Sequence, residues 1–227
     1  MQLLAVALAP GLAICIYIYW KDKFDREPRL LLAKAFAFGM LSTIPALILE
    51  VFVSRLGLQE SPELFATAVY AFAGVAAIEE FCKFFFVYRY LYNHKEFDEP
   101  FDGITYAVMV SMGFATLENV AYTLQYGMET AIWRMFTAVP AHATFAVIMG
   151  YFLGLAKFRS DESNKFIALA VLVPILFHGA YDFSLMQQPF QNLRMIGALA
   201  SLIVGLLLSF SAIRIHQRNS PFRDKQS

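Results

Sequence analysis

Charge is what this 227-residue chain has least of: 16% of its residues are Asp, Glu, Lys or Arg, against 59% in the hydrophobic set. That balance excludes a soluble globule, because a chain of this size cannot bury so much apolar surface in a core of its own. Cysteine is almost absent too. Cys15 and Cys82 both fall inside apolar runs, which excludes a disulfide framework and any cysteine pair with metal-binding spacing. There is no Gly/Ser-rich linker, no low-complexity tract and no polar stretch long enough to fold by itself, so one membrane domain over residues 1–227 is expected. No basic residue precedes the first apolar run and no small-x-small cleavage site follows it, so that run is expected to be a retained helix rather than a signal peptide. The net charge is zero, which offers no footprint for nucleic acid, and none is expected as a partner.

What the chain does have is recurring apolar stretches of the roughly 20 residues that cross a hydrocarbon layer of about 30 Å. Seven are found, approximately over 1–20, 30–56, 64–91, 102–125, 131–156, 166–188 and 193–215. The fold class is therefore an all-α, multi-pass integral membrane protein. The basic residues orient it. Lys21, Lys23, Arg26, Arg29, Arg89, Lys95, Lys157, Arg159, Lys165, Arg214, Arg218, Arg223 and Lys225 lie in alternate connections and the tail, while the opposite connections hold only Arg55, Arg134 and Arg194. Cytoplasmic loops are enriched in Lys and Arg, so the N-terminus is expected outside and the C-terminus in the cytoplasm. Tyr17, Tyr19, Trp20, Tyr88, Tyr90 and Tyr92 mark inner ends of spans, and Tyr122, Tyr126 and Trp133 mark outer ends.

Several ionisable residues lie inside these spans, where each costs at least about 2.5 kcal/mol on insertion scales unless it faces protein or a wet cavity. The third span has Glu79, Glu80 and Lys83, the fourth Glu118 and Asn119, the fifth His142, and the sixth His178 and Asp182. At a rise of about 1.5 Å per residue, Glu79, His142 and His178 fall near mid-membrane, with Glu118 and Asp182 roughly 7 Å toward the outer face. One layer contributed by four consecutive helices points to one site. Glu79 and Lys83, and likewise His178 and Asp182, are four residues apart and share a helix face. Lys83 reads as the neutralising partner of a glutamate, and Asp182 as the residue that orients the His178 ring. Glu50, near Arg55, and Lys34 read as interfacial. Asp98, Glu99 and Asp102 could attract a cation, but Asp102 is more simply the N-cap of the fourth helix. Pro140 and Pro174 precede the two histidines and are expected to bend their helices and admit water.

Peptide hydrolysis needs a water, a base and donors to the oxyanion. A carboxylate held in low dielectric beside another holds a proton more readily and serves as that base, while histidines and an asparagine amide supply donors. No Ser/His/Asp arrangement is present, and covalent catalysis is not expected. The histidines and carboxylates could also hold zinc with a position left for water, drawn from Glu79, Glu80, Glu118, His142 and His178, although HExxH is absent. Spacing leaves both mechanisms open; the expectation is a metal-free glutamate mechanism without a cofactor, with zinc as the alternative. A proton- or ion-coupled transporter could use the same layer, but it predicts internal repeats, and none is visible.

The motifs also resemble a known family. Glu79, Glu80 and Lys83 in "EEFCK" resemble the EExxK of PrsW-type intramembrane proteases, "FATLEN" with Glu118 and Asn119 their FxxxEN, and "HGAYD" with His178 and Asp182 their HxxxD. His142 lies on the helix between, and "FDEPFDG" is similar to the family's approach to the fourth helix. The resemblance runs closely from Ile78 to Asp182, and the flanks follow by hydropathy and "DREP". It implies an endopeptidase of the cell membrane with a catalytic core on helices three to six. The implied substrate is a single-pass membrane protein cut on its extracytoplasmic side, such as an anti-sigma factor in stress signalling, and the partners are that substrate and lipid. By the same resemblance Glu79 or Glu80 is the base, His142 and His178 attend the water or oxyanion, Asp182 orients His178 and Asn119 donates. The related CAAX prenyl endopeptidases carry FxxxH and HxxxN where this chain has Glu118 and Asp182, so their mechanism does not transfer whole. His142 is the residue available in place of the missing histidine.

Overall fold

The computed structural model describes residues 2–223, among which are seven helices long and apolar enough to cross a membrane and no strand. They are α1 (Gln2–Lys21), α2 (Arg29–Arg55), α3 (Leu64–Leu91), α4 (Pro100–Tyr126), α5 (Met128–Phe158), α6 (Ser160–Met186) and α7 (Gln191–Arg218). Number and order agree with the hydropathy; Met1 and Lys225, counted above in the first span and the basic tail, lie outside the described residues. Charged ends close α1, α2 and α7 at Lys21, Arg55 and Arg218.

Helix α4 is the centre of the bundle, with every residue from Pro100 to Thr116 buried against α1, α2 and α5. In lipid no hydrophobic force drives helices together, so close contact depends on small residues that let backbones approach. A Cβ on Gly113 would run into the Phe36 carbonyl of α2 and lie 3.1 Å from the Cα of Gly39. One on Gly150 of α5 would strike the Gly103 carbonyl and sit 2.5 Å from the Cα of Ile104. Helices α2 and α7 leave Ile44, Leu47, Ile48, Ile203 and Leu207 exposed, as expected of surfaces that face acyl chains rather than water.

Two helices depart from regular geometry near the ionisable layer. In α3, π-helical turns at Tyr70–Ala76 and Val87–Leu91 flank an α-helical segment, Ala77–Phe86; such turns recur at functional sites in proteins. Helix α5 starts earlier than its hydropathy suggests and is broken at Thr137 (φ −122°, ψ −74°), which divides Met128–Phe136 from Ala138–Phe158. Pro140 therefore stands in the first turn of the second segment rather than kinking a helix interior, and there its missing N–H breaks no helical bond. Pro174 is internal to α6, as expected.

At the far end of α4 from Glu118, the carboxylates of Asp22, Glu27, Glu99 and Asp102 are buried. Asp102 is not the N-cap. Glu99 holds that position, and Asp102 is the third helical residue. Its Oδ2 accepts the backbone N–H groups of Asp98 and Glu99 at 2.9 and 2.7 Å, which satisfies donors that a helix start leaves without partners. The Tyr106 hydroxyl donates to Glu27. Burial, reinforced by Glu99 and Glu27, pushes the Asp22 carboxyl up to about 8. Burial likewise pushes Glu27 up to about 7.

Candidate active site

Neighbouring residues on a helix point about 100° apart, yet Glu79 and Glu80 are both buried. Lys83 reconciles them. Spacings of three and four residues put one ammonium within reach of both, and its Nζ stands 2.9 Å from Glu79 Oε2 and 2.9 Å from Glu80 Oε1. The Phe114 ring of α4 lies 4.1 Å from the same nitrogen, so a desolvated cation has a π face as well as two carboxylates around it.

The histidines are held alike. His142, one turn beyond the break in α5, places Nδ1 3.1 Å from Lys83 Nζ and Nε2 2.9 Å from Glu118 Oε2. His178 on α6 places Nδ1 2.9 Å from Glu80 Oε1 and Nε2 3.2 Å from Asp182 Oδ2. The Phe145 ring stacks on His178 at 4.9 Å, and the two imidazole centroids are 5.1 Å apart. The Glu118 carboxylate beside Nε2 of His142 selects the tautomer that carries its proton there and leaves the Nδ1 lone pair toward Lys83. Both ring nitrogens of His178 face carboxylates, so its Nδ1 donates to Glu80 Oε1 and would give up that proton to ligate a metal. Glu79, Glu80, His142 and His178 thus each offer one ligand atom, all within 4.8 Å of one another and all on buried residues. Among the described residues no other His, Cys, Asp or Glu group gathers donors in this way, the acidic loop before α4 included.

Two sequence-predicted residues take other places. Glu118 stands behind His142, and its Oε2 also meets Arg134 Nη2 at 3.0 Å. Asn119 does not face the cavity: its amide donates to the Ala7 carbonyl of α1 at 2.9 Å, and its oxygen accepts from Arg134 Nε at 3.1 Å. Arg134 is the residue that sequence reasoning misses. It reads as an isolated charge in an outer loop, whereas it lies on the first segment of α5 with its guanidinium 4.1 Å from the Tyr122 ring centre. Its partners are 12 to 16 positions away on another helix, so no periodicity announces the contact.

A cavity of about 1140 Å³ leads to the cluster. Glu79, His142, His178 and Asp182 line it, while Glu80 and Lys83 do not. Glu50, read from the sequence as interfacial, also lines it; Trp133 and Arg194 stand at its walls, together with Tyr122 and Tyr126. The arrangement offers carboxylates beside a space for water and an extended chain, two oriented imidazoles and one buried counter-cation.

A protein-family model described as "PrsW family intramembrane metalloprotease" matches residues 27–212. The chain is 42% identical over 185 residues to the Protease PrsW of Geobacillus kaustophilus (strain HTA426), covering 82% of this chain and 80% of that one. It is 35% identical over 184 residues to the Protease PrsW of Bacillus subtilis (strain 168), covering 81% and 82%. With the Protease PrsW of Clostridioides difficile (strain 630) it is 32% identical over 192 residues, covering 82% and 80%. No solved structure matches.

Proposed function

Because the chain belongs to the PrsW family of intramembrane metalloproteases, we propose that Glu80, His142 and His178 hold a zinc ion and that Glu79, facing the cavity, is the general base for peptide hydrolysis. The protein is a multi-pass hydrolase of the cell membrane; what is proposed is the division of labour and the metal. The observation that carries it is the convergence of one ligand atom from each of two imidazoles and two glutamates within 4.8 Å, each imidazole backed by its own carboxylate. Two histidines and one glutamate are a recurrent zinc set that leaves a position for water, and the carboxylate–histidine pairing suits ligation. Bound zinc would make its water more acidic and polarise the scissile carbonyl.

The chain's own residues supply the rest. Glu79 differs from Glu80 in lining the cavity, so it is the carboxylate able to take a proton from a water there and return it to the leaving amine. Glu80 is fixed by Lys83 and by His178 and serves to hold. Asp182 and Glu118 keep the rings in one tautomer. The cavity has room for an extended segment of a single-pass membrane protein, and the predominance of basic residues on the opposite side supports a mouth outside the cytoplasm. An anti-sigma factor is the substrate class that the family resemblance implies.

The test is cleavage of a panel of single-pass substrates by purified protein in detergent, with wild type, Glu79→Gln, Glu80→Gln and His178→Ala. Chelator should abolish cleavage and zinc restore it, and Glu79→Gln should lose turnover while still binding zinc. Chelator-insensitive cleavage that still requires Glu79 would instead support the metal-free glutamate mechanism.

A further inference from the structure

Lys83 is 1% exposed, and its ammonium does not merely offset one glutamate. Its Nζ lies 2.9 Å from Glu79 Oε2, 2.9 Å from Glu80 Oε1 and 3.1 Å from His142 Nδ1. These are three of the four residues whose donor atoms converge at metal-binding distance. We propose that Lys83 is the resident counter-cation of this cluster and sets its metal affinity by competing for the same side chains. The inference rests on the metal-binding reading above and adds a device that the reading does not contain.

Space and charge both oppose a metal here. Glu80 Oε1 is shared between Lys83 and His178 Nδ1, and the lone pair of His142 Nδ1 points to the ammonium. A divalent ion drawn to those atoms meets a positive charge at close range, in a medium where Coulomb forces are weakly screened. The ammonium cannot retreat to water, because its stem is enclosed and the Phe114 ring lies 4.1 Å from Nζ. Binding of the metal therefore requires Lys83 to give up at least one of its three partners while remaining nearby. The same geometry keeps two adjacent carboxylates from repelling each other, so the cluster is assembled by the fold rather than by the metal. The protein accordingly has a preformed site whose metal affinity is held down by its own lysine.

The experiment uses the full chain in detergent, stripped with chelator and titrated calorimetrically with zinc, and with cobalt for its absorption bands. Lys83→Met removes the charge, Lys83→Gln removes it but keeps a donor for the carboxylates should the Met variant not fold, and Lys83→Arg keeps the charge. Both neutral variants should bind zinc at least about tenfold more tightly than wild type, and Lys83→Arg should not. The metal-free melting temperature of Lys83→Met should fall. Zinc binding by Lys83→Gln where wild type shows none would support the same competition in stronger form. Folded neutral variants that bind zinc no more tightly than wild type overturn the competition and leave the metal reading standing. Absence of binding in all variants, with cleavage indifferent to chelator, removes the metal reading and this inference with it.

Discussion

Replacing Arg134 with Gln should cost about 2 kcal/mol of stability and at least about tenfold in activity. The first figure lies between two limits: exposed ion pairs contribute roughly 0 to 1 kcal/mol, and breaking a fully buried pair by removing one partner costs about 3 to 5. The Arg134 and Glu118 side chains are 15% and 21% exposed, nearer the buried limit. However, Arg134 Nη2 approaches Glu118 Oε2 at 3.0 Å without hydrogen-bond alignment, which lowers the value. The bond from Arg134 Nε to Asn119 adds about 1 kcal/mol of its own. The activity loss follows from Glu118, which orients His142; residues that support a ligating histidine typically matter about 10- to 100-fold. Unfolding of the variants in detergent by thermal scan or SDS titration, together with cleavage rates, measures both. Glu118→Gln alone and Arg134→Gln/Glu118→Gln complete a cycle, in which the double variant should recover part of the stability because no unpaired charge stays buried. An Arg134→Gln protein within about 0.5 kcal/mol of wild type, the range of ordinary surface substitutions, with no coupling to Glu118 would show that Arg134 does not brace Glu118.

Three further outcomes are expected. Asp182→Asn should lower zinc affinity or turnover by about 10- to 100-fold with little change in melting, and a variant of unchanged affinity and rate would show that Asp182 does not orient His178. Gly150→Ala places a methyl against the α4 backbone, so α4 and α5 must separate at a cost of about 1 to 3 kcal/mol; because these helices carry Glu118 and His142, activity should fall with stability, and an unaffected protein contradicts the close packing. Asp22 is pushed up to about 8 by burial, so between its ordinary range and that value the folded protein holds a proton that the unfolded chain releases. Folding should weaken as pH rises through that window, by up to about 1.4 kcal/mol per pH unit, and melting curves of Asp22→Asn should show a shallower decline; identical pH profiles would count against a protonated Asp22.

The number of spans and the presence of a site within them follow from the sequence alone. Hydropathy is a local property with a length set by the bilayer, and an ionisable residue inside such a run is conspicuous wherever it falls. The pairs made within one helix, Lys83 with Glu79 and His178 with Asp182, were equally legible, because four-residue spacing fixes a shared face; that Lys83 also holds Glu80 was not read from it. What crosses between helices depends on the packed bundle. That packing put Glu118 behind His142 rather than among the donors and turned Asn119 toward Ala7. It brought Arg134 from a supposed loop onto both, and it separated Glu79, at the cavity, from Glu80, behind it. Composition determines that these groups must be sheltered from lipid, but which one meets water depends on how helices distant in sequence pack around the glycines of α4.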